Sequence, residues 1–278
     1  MEITRNSLKE HLSSDTQKLL DLADKLGQKA IDSRNNGLQV SKHTNIKGFV
    51  TSGDVAVDQL VYSEASIRFP GVTVLSEETQ TDFIPSDNPD VLIVDPIDGT
   101  RWYKDGGEVW SINLSLVNNG ELKSAVIVQP DLRVITFAEK GLGAYCQKGG
   151  KIEQIFTNSE TDLRKSKVGV GMNFADYASA ARISELLKPL CVRSRGLNIM
   201  ESSGYELVCL ARGAAISAYI HPDAKPWDKS AGMLIINEAG GRATGWPGRD
   251  EIFGNGVIAA ANQELYAKVA ELAMEHVR

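Results

Sequence analysis

Hydrophobic positions along this chain follow two rhythms. From Asp15 onward, Leu19, Leu22, Leu26 and Ala30 recur at helical spacing, which predicts an amphipathic helix stopped by Asn35-Asn36-Gly37. Gly53 to Arg68 predicts a second helix, with Val57, Leu60, Val61 and Ala65 as its stripe and Pro70-Gly71 as its break. Short apolar runs then predict strands at 72–75 and 91–94, separated by a polar loop through Pro89. Residues 111–117 alternate with period two, Asn118-Asn119-Gly120 reads as a hairpin turn, and 125–128 is the return strand. Val134 to Ala138 and Gly143 to Tyr145 continue an antiparallel meander, and the turn-rich stretch 147–151 is the best linker candidate. The second half changes style. Strands at 168–171, 215–220 and 257–261 alternate with helices at 175–187, 201–212, 227–239 and 263–277. An α+β half (1–150) is thus expected to precede an α/β half (151–278).

One run stands out against this pattern. The strand at 91–94 leads into Asp95-Pro96-Ile97-Asp98-Gly99-Thr100. Pro96 fixes its own φ and biases Asp95 toward extended geometry, giving a stiff turn with two carboxylates and a carbonyl on one side. Such donors suit a hard cation such as Mg²⁺. The N–H groups of Gly99 and Thr100, if they open a helix, suit a phosphate. Taken alone, an Asp-x-x-Asp loop is more often a turn with a helix cap. The difference lies in its company: Asp54 after Thr51-Ser52-Gly53, Glu77 and Glu78 after the strand at 72–75, and Asp228 in Trp227-Asp228-Lys229-Ser230-Ala231-Gly232. All sit at predicted element ends, where a cleft between layers gathers side chains.

Composition removes several classes. The 278 residues are 42% hydrophobic and 24% charged, with net charge −6, which fits a globular protein and leaves no basic footprint for nucleic acid. No apolar run nears the ~20 residues needed to span a bilayer, and Met1 to Asn6 lacks a signal-peptide core. Cys146, Cys191 and Cys209 show neither zinc nor disulfide spacing, so a cytoplasmic setting is expected. His11, His43, His221 and His276 lie in no motif for a phosphohistidine, and the cysteines lie in no phosphatase-type loop. A nucleotide-binding module without metal would need a Gly-rich fingerprint, which the chain lacks.

The acids in their order and spacing resemble the inositol monophosphatase family of Mg²⁺-dependent, often lithium-sensitive phosphatases. The run at 95–100 matches its first signature. Residues 227–232 with Glu238-Ala239-Gly240-Gly241 match its second, Ser76-Glu77-Glu78 its Glu-Glu element, and Thr51 to Asp54 its Thr-x-x-Asp element. The resemblance runs from about Asp54 to Asn262 and implies a layered α-β-α-β-α sandwich with its active site where the halves meet. It implies that Glu77, Asp95 and the Ile97 carbonyl hold a first Mg²⁺. Asp95 then bridges to a second, completed by Asp98 and Asp228, with a weaker third near Glu77. Asp54 and Thr100 would activate the attacking water, and the Gly99 and Thr100 N–H groups would hold the phosphate. Metals ~3.5–4 Å apart clamp the attacking and leaving oxygens of an in-line displacement.

The resemblance also implies a small phosphate monoester as partner, inositol monophosphate first, and a homodimer. Substrate contacts are expected from Ser202 and His221. Inositol-specific relatives often carry Glu where His221 stands, so a broad substrate profile is expected. Residues 201–205 depart from the small-residue run usual at that helix start, and Arg101-Trp102-Tyr103-Lys104 is more aromatic and basic than the inositol pattern. Bisphosphate nucleotidases and fructose-bisphosphatases share the metal core and remain alternatives. A regulatory member acting through protein contacts is the non-enzymatic rival. The complete set of Glu77, Asp95, Asp98 and Asp228 favours catalysis.

Overall fold

The computed structural model describes residues 11–42, 49–79, 89–172, 177–247, 249 and 251–276. The first half runs α1 (Ser14–Asn35), β1 (Val40–Lys42), β2 (Phe49–Thr51), α2 (Ser52–Arg68), β3 (Thr73–Ser76), β4 (Val91–Asp98) and α3 (Thr100–Lys104). It continues through β5 (Ser111–Asn118), β6 (Glu121–Gln129), β7 (Val134–Glu139), β8 (Gly143–Lys148) and β9 (Lys151–Gln154). The second half runs β10 (Lys167–Val170), α4 (Tyr177–Arg193), β11 (Gly196–Asn198), α5 (Ser203–Ala211) and β12 (Ala218–His221). It ends with α6 (Pro226–Glu238), β13 (Arg242–Gly245), β14 (Val257–Ala260) and α7 (Gln263–His276).

These elements stack as five layers, α-β-α-β-α. The stripe Leu19, Leu22, Leu26 and Ala30 on α1 joins Val57, Val61 and Ala65 on α2 in one core against the first sheet. Each fully buried Leu contributes about 1.5–3 kcal/mol, which fixes the inward face of α1. The first sheet has the order β3-β4-β5-β6-β7-β8-β9 and is antiparallel except for β3 beside β4. Alternation splits its strands between two cores. Val126 and Val128 face the paired helices, whereas Ala125 and Ile127 face α5 and α6 in the middle layer. A second, mixed sheet of order β11-β10-β12-β14-β13 follows, and α4 and α7 close its far side through Leu186, Leu190, Leu265 and Val269.

Several elements differ from expectation. The segment 147–151 is the turn and start of a hairpin between β8 and β9, so the large sheet continues to Gln154. The strands β1, β2 and β11, three residues each, are too short for periodicity to reveal, and β13 was not expected. The α4 helix extends past Pro189 to Arg193, and α5 starts at Ser203 with Ser202 as its cap. The expected helix start at Ala175, the last residue of the expected terminal helix and His43 lie outside the described residues. Strand β4 runs through both acids of the signature instead of ending at Val94.

The joint between α2 and α3 is tight. Tyr103 is fully buried, donates its hydroxyl to the Ala30 carbonyl at 2.7 Å, and meets Trp110 edge-on at 4.8 Å. A Cβ on Gly53 would lie 2.3 Å from the Tyr103 hydroxyl oxygen. Gly53→Ala is therefore expected to cost about 1–3 kcal/mol through overpacking. Thermal unfolding checks this, and an unchanged Tm would show that the joint yields freely.

Candidate active site

Strand register builds the site. Parallel pairing sets Ser76 beside Val94, so the next residues, Glu77 and Asp95, are neighbours at one sheet end. Between β4 and β5 the register pairs Asp95 with Asn113 but Asp98 with Ser111. One extra residue therefore sits on β4. In a regular strand, residues three apart face opposite sides. The bulge reverses that parity and turns both carboxylates to one side, the usual effect of a bulge beside a functional site. Gly99 follows at φ 89, where a Cβ would lie 2.8 Å from the Val109 carbonyl oxygen. That position admits only glycine.

Two helix starts bring further acids. Thr51 caps α2 and forms a capping box with Asp54: Thr51 N–H and Oγ1 donate to Asp54 Oδ2 at 2.8 and 2.5 Å. The other oxygen, Oδ1, faces Thr100 Oγ1 at 3.4 Å. Thr100 Oγ1 also donates toward the Ile97 carbonyl at 3.1 Å. Asp228 stands in the first turn of α6, after Pro226, and accepts the Lys225 N–H at 2.7 Å through Oδ2.

Asp98 is the most heavily bonded acid. Ser111 Oγ (3.1 Å), Asn113 Nδ2 (3.3 Å) and Ser202 Oγ (2.9 Å) donate to its Oδ2, as does Gly204 N–H (2.5 Å). Ser203 N–H donates to Oδ1 at 3.1 Å. The start of α5 is thereby fastened to β4. Period-two alternation often marks a strand with one wet face. Here Ser111, Asn113 and Ser115 on β5 are all buried, and the first two support Asp98. Their polar positions within the alternating run were the available signal for this second set of site residues.

Ser202 is buried, with its hydroxyl engaged by Asp98. His221 is buried as well, and its Nδ1 lies 3.5 Å from Ser203 Oγ. Desolvation pushes this imidazole down to about 4, so it is neutral at ordinary pH. The hydroxyl of Ser202 is thus engaged by Asp98, whereas the buried Nε2 of His221 has no hydrogen-bond partner among the described residues.

The acids act on one another. Burial, then the charges of Asp228, Glu78 and Asp54, hold the Glu77 carboxyl well above its usual range. Burial, then Glu77, Asp98 and Asp228, do the same to Asp95. Burial raises Asp228 to about 7 and, with Asp54 and Asp58 nearby, Glu78 to about 7. Asp54 and Asp98 are raised by burial against the pull of their hydrogen bonds. Among the described residues, no three His, Cys, Asp or Glu side chains are gathered closely enough to hold a metal ion as they stand. The donors are nevertheless all oxygens, crowded and short of positive charge, which is the chemistry a hard divalent cation satisfies.

A five-layer sandwich with buried acids gathered at a bulged strand end defines a distinct class of layered α-β-α-β-α protein. The chain belongs to the inositol monophosphatase family, whose sequence model matches residues 11–278. It is 29% identical over 226 residues to the fructose-1,6-bisphosphatase/inositol-1-monophosphatase of Thermotoga maritima, covering 79% of this chain and 82% of that protein. It is 28% identical over 185 residues to a putative Nus factor SuhB of Neisseria meningitidis, covering 66% and 69%. The fold matches the crystal structure of extragenic suppressor protein suhB from Bartonella henselae with a TM-score of 0.81 at 23% identity, over 95% of this chain and 100% of that one.

Proposed function

We propose that this chain hydrolyses small phosphate monoesters with Mg²⁺, releasing inorganic phosphate and an alcohol, with inositol monophosphate as the reference substrate. The observation that carries the reading is the β4 bulge, which turns Asp95 and Asp98 to one side, next to Glu77 and Asp228 and beside the Asp54–Thr100 pair. Glu77, Asp95 and the Ile97 carbonyl would hold one cation. Asp95, Asp98 and Asp228 would hold a second, and a third would sit near Glu77. When bound, the cations supply positive charge to the phosphoryl oxygens and make water a better nucleophile at neutral pH. Thr100 orients that water through its hydroxyl, and Asp54, fixed by Thr51, takes the proton. Burial raises the basicity of Asp54 above that of a free carboxylate, which suits a proton acceptor. The backbone N–H groups of Gly99 and Thr100 hold the phosphate.

Ser202 and His221 form the wall on the alcohol side, Ser202 through Asp98 and His221 through Ser203. Residues 1–150 would supply most metal ligands and residues 151–278 would supply Asp228 and that wall. A cytoplasmic homodimer sensitive to lithium completes the proposal. The name of the Neisseria relative favours a regulatory role as a second reading, but the complete acid set supports catalysis.

Phosphate release tests this. Inositol 1-phosphate, fructose 1,6-bisphosphate, histidinol phosphate and 3′-phosphoadenosine 5′-phosphate are offered with and without Mg²⁺. Activity is expected to vanish on chelation and return with Mg²⁺. Loose contacts discriminate little, so kcat/KM among sugar and inositol monophosphates is expected to vary less than ~100-fold. Release that survives chelation would overturn the metal assignment.

A further inference from the structure

Tyr103 is fully buried, whereas Arg101 and Trp102 on the same short helix are exposed. Its ring meets that of Trp110, which is also fully buried, edge-on. The Arg34 guanidinium, from the last turn of α1, covers both. Its Cζ lies 5.4 Å from the Tyr103 ring centroid and 5.5 Å from that of Trp110. A cation within about 6 Å of a ring face is attracted to it, the more so where water is excluded. Asp131, in the turn between β6 and β7, fixes the guanidinium there. Arg34 Nη1 donates to Asp131 Oδ2 at 2.8 Å, and Nη2 donates to Oδ1. Trp110 Nε1 donates to the same Oδ2 at 2.6 Å, which closes the cluster on itself. Both charged side chains are largely withdrawn from water, Arg34 at 17% and Asp131 at 18% exposed.

This cluster shares no residue with the acid site, yet it touches both partners of the pair assigned to the attacking water. Gly53 immediately precedes Asp54, and it packs so closely against the Tyr103 hydroxyl that a Cβ does not fit. On α3, Tyr103 follows Thr100 by three residues, and its N–H donates to the Gly99 carbonyl at 3.1 Å. The Trp110 Cα lies 3.3 Å from where a Cβ on Gly99 would stand. The Tyr103 hydroxyl is also anchored to α1, where the Ala30 carbonyl accepts it at 2.7 Å, one turn before Arg34. Tyr103 therefore joins α1 to the starts of α2 and α3. Asp54 Oδ1 and Thr100 Oγ1 stand 3.4 Å apart, at the outer edge of hydrogen bonding. A small displacement of either helix start makes or breaks that contact.

We propose that Arg34 is a positioning residue for the proposed reaction: held by Asp131, it seats Tyr103 against Gly53 and so sets the approach of Thr100 to Asp54. The inference rests on the phosphatase reading and deepens it by a residue that touches neither substrate nor metal. A guanidinium suits the place because its flat face covers the rings while its edge gives two parallel hydrogen bonds to one carboxylate, and an ammonium offers neither. Side chains locked by packing and hydrogen bonds behind a site hold its reacting groups in productive geometry.

Arg34→Lys tests this, since it keeps the charge beside Asp131 and loses both the fork and the flat cover. It is expected to lower kcat for inositol 1-phosphate about 10- to 100-fold, the scale of a displacement of up to about 1 Å in a reacting group. KM and the Mg²⁺ concentration for half-maximal rate should stay near parental, because no substrate or metal contact is removed. The decisive readout is the double variant. In Thr100→Ala the hydroxyl that Arg34 positions is gone, so adding Arg34→Lys is expected to lower kcat by less than about threefold more. Tyr103→Phe keeps the ring and drops the hydroxyl between Gly53 and Ala30. It is expected to behave in the same way, and it carries the test should Arg34→Lys not fold. Ile258→Val, in the core around the second sheet, controls for lost stability and should leave kcat unchanged. A parental kcat in Arg34→Lys, a loss as large in the Thr100→Ala background, or a matching loss in Ile258→Val would overturn the proposal and leave the cluster merely structural. Absence of phosphate release from the parent chain with every substrate would instead defeat the phosphatase reading, and the proposal with it.

Discussion

Asparagine at position 95 is expected to lower phosphate release on the order of 10³-fold or more at saturating Mg²⁺, the size of loss that follows removal of a major electrostatic element. Asp95 is the acid that the others crowd, since Glu77, Asp98 and Asp228 all act on its carboxyl. An amide keeps the side chain's shape and the contact in which the Ile97 N–H donates to Oδ1 at 3.1 Å. It brings no charge and one ligating oxygen in place of two. Under the proposed assignment Asp95 is shared between two cations, so the substitution weakens both sites.

The same change moves metal-free stability the other way. Glu77 and Asp95 are held above the usual range, and Glu78 and Asp228 rise to about 7. A raised carboxyl binds more protons in the folded chain than in the unfolded one. These groups therefore favour folding while protonated; the contribution of Glu78 and Asp228 falls as pH climbs from about 4 to about 7, and that of Glu77 and Asp95 falls as pH rises through their own raised range. Removing one crowded charge raises the Tm of metal-free Asp95→Asn above that of the parent at about pH 8, by a few degrees on the scale set by chain length. Under the proposed assignment Mg²⁺ stabilises the parent by binding the folded form, and it is expected to stabilise the variant far less. Kinetics of phosphate release and thermal unfolding with and without Mg²⁺ check both halves. Near-parental turnover in Asp95→Asn would remove the two-metal assignment.

Legibility from the sequence followed the physics of each feature. The helical stripes at Leu19 to Ala30 and Val57 to Ala65 were plain because a long amphipathic helix repeats its signal several times. The five layers came through family resemblance, and the layered fold agrees with it. The β4–β5 bulge was hidden, since a register shift is a property of two strands and no single run records it. Proline at 96 drew attention to a turn, whereas the backbone continues as strand through Asp98. Ser111 and Asn113 passed as ordinary alternation because their partner, Asp98, is contributed by a different strand. The pairing of Arg34 with Asp131 joins residues 97 positions apart, so only the folded chain reveals it.

Thr100→Ala is expected to lower kcat roughly 10²–10⁴-fold, the range for loss of a positioned acid–base group, while Mg²⁺ affinity changes little. Its hydroxyl lies between the Ile97 carbonyl at 3.1 Å and Asp54 Oδ1 at 3.4 Å, a geometry that lets it pass a water proton toward the carboxylate. Asp54→Asn is expected to give a similar loss for a different reason. The asparagine side chain still offers an oxygen to the Thr51 N–H, so the helix start keeps an acceptor, but it no longer takes a proton. Under the proposed roles the pair acts as one unit, so the double variant should lose little more than either single change. A purely structural role for Asp54 makes the opposite forecast: a loss of about 0.5–2 kcal/mol of stability on breaking the capping box with Asp54→Ala, little loss of kcat in Asp54→Asn, and effects that multiply with Thr100→Ala. Steady-state kcat for the two single variants and the double variant, Mg²⁺ titrations and the Tm of Asp54→Ala separate the two. Fully multiplicative kcat losses would reduce Asp54 to the capping-box partner of Thr51 and leave Thr100 without its proton acceptor.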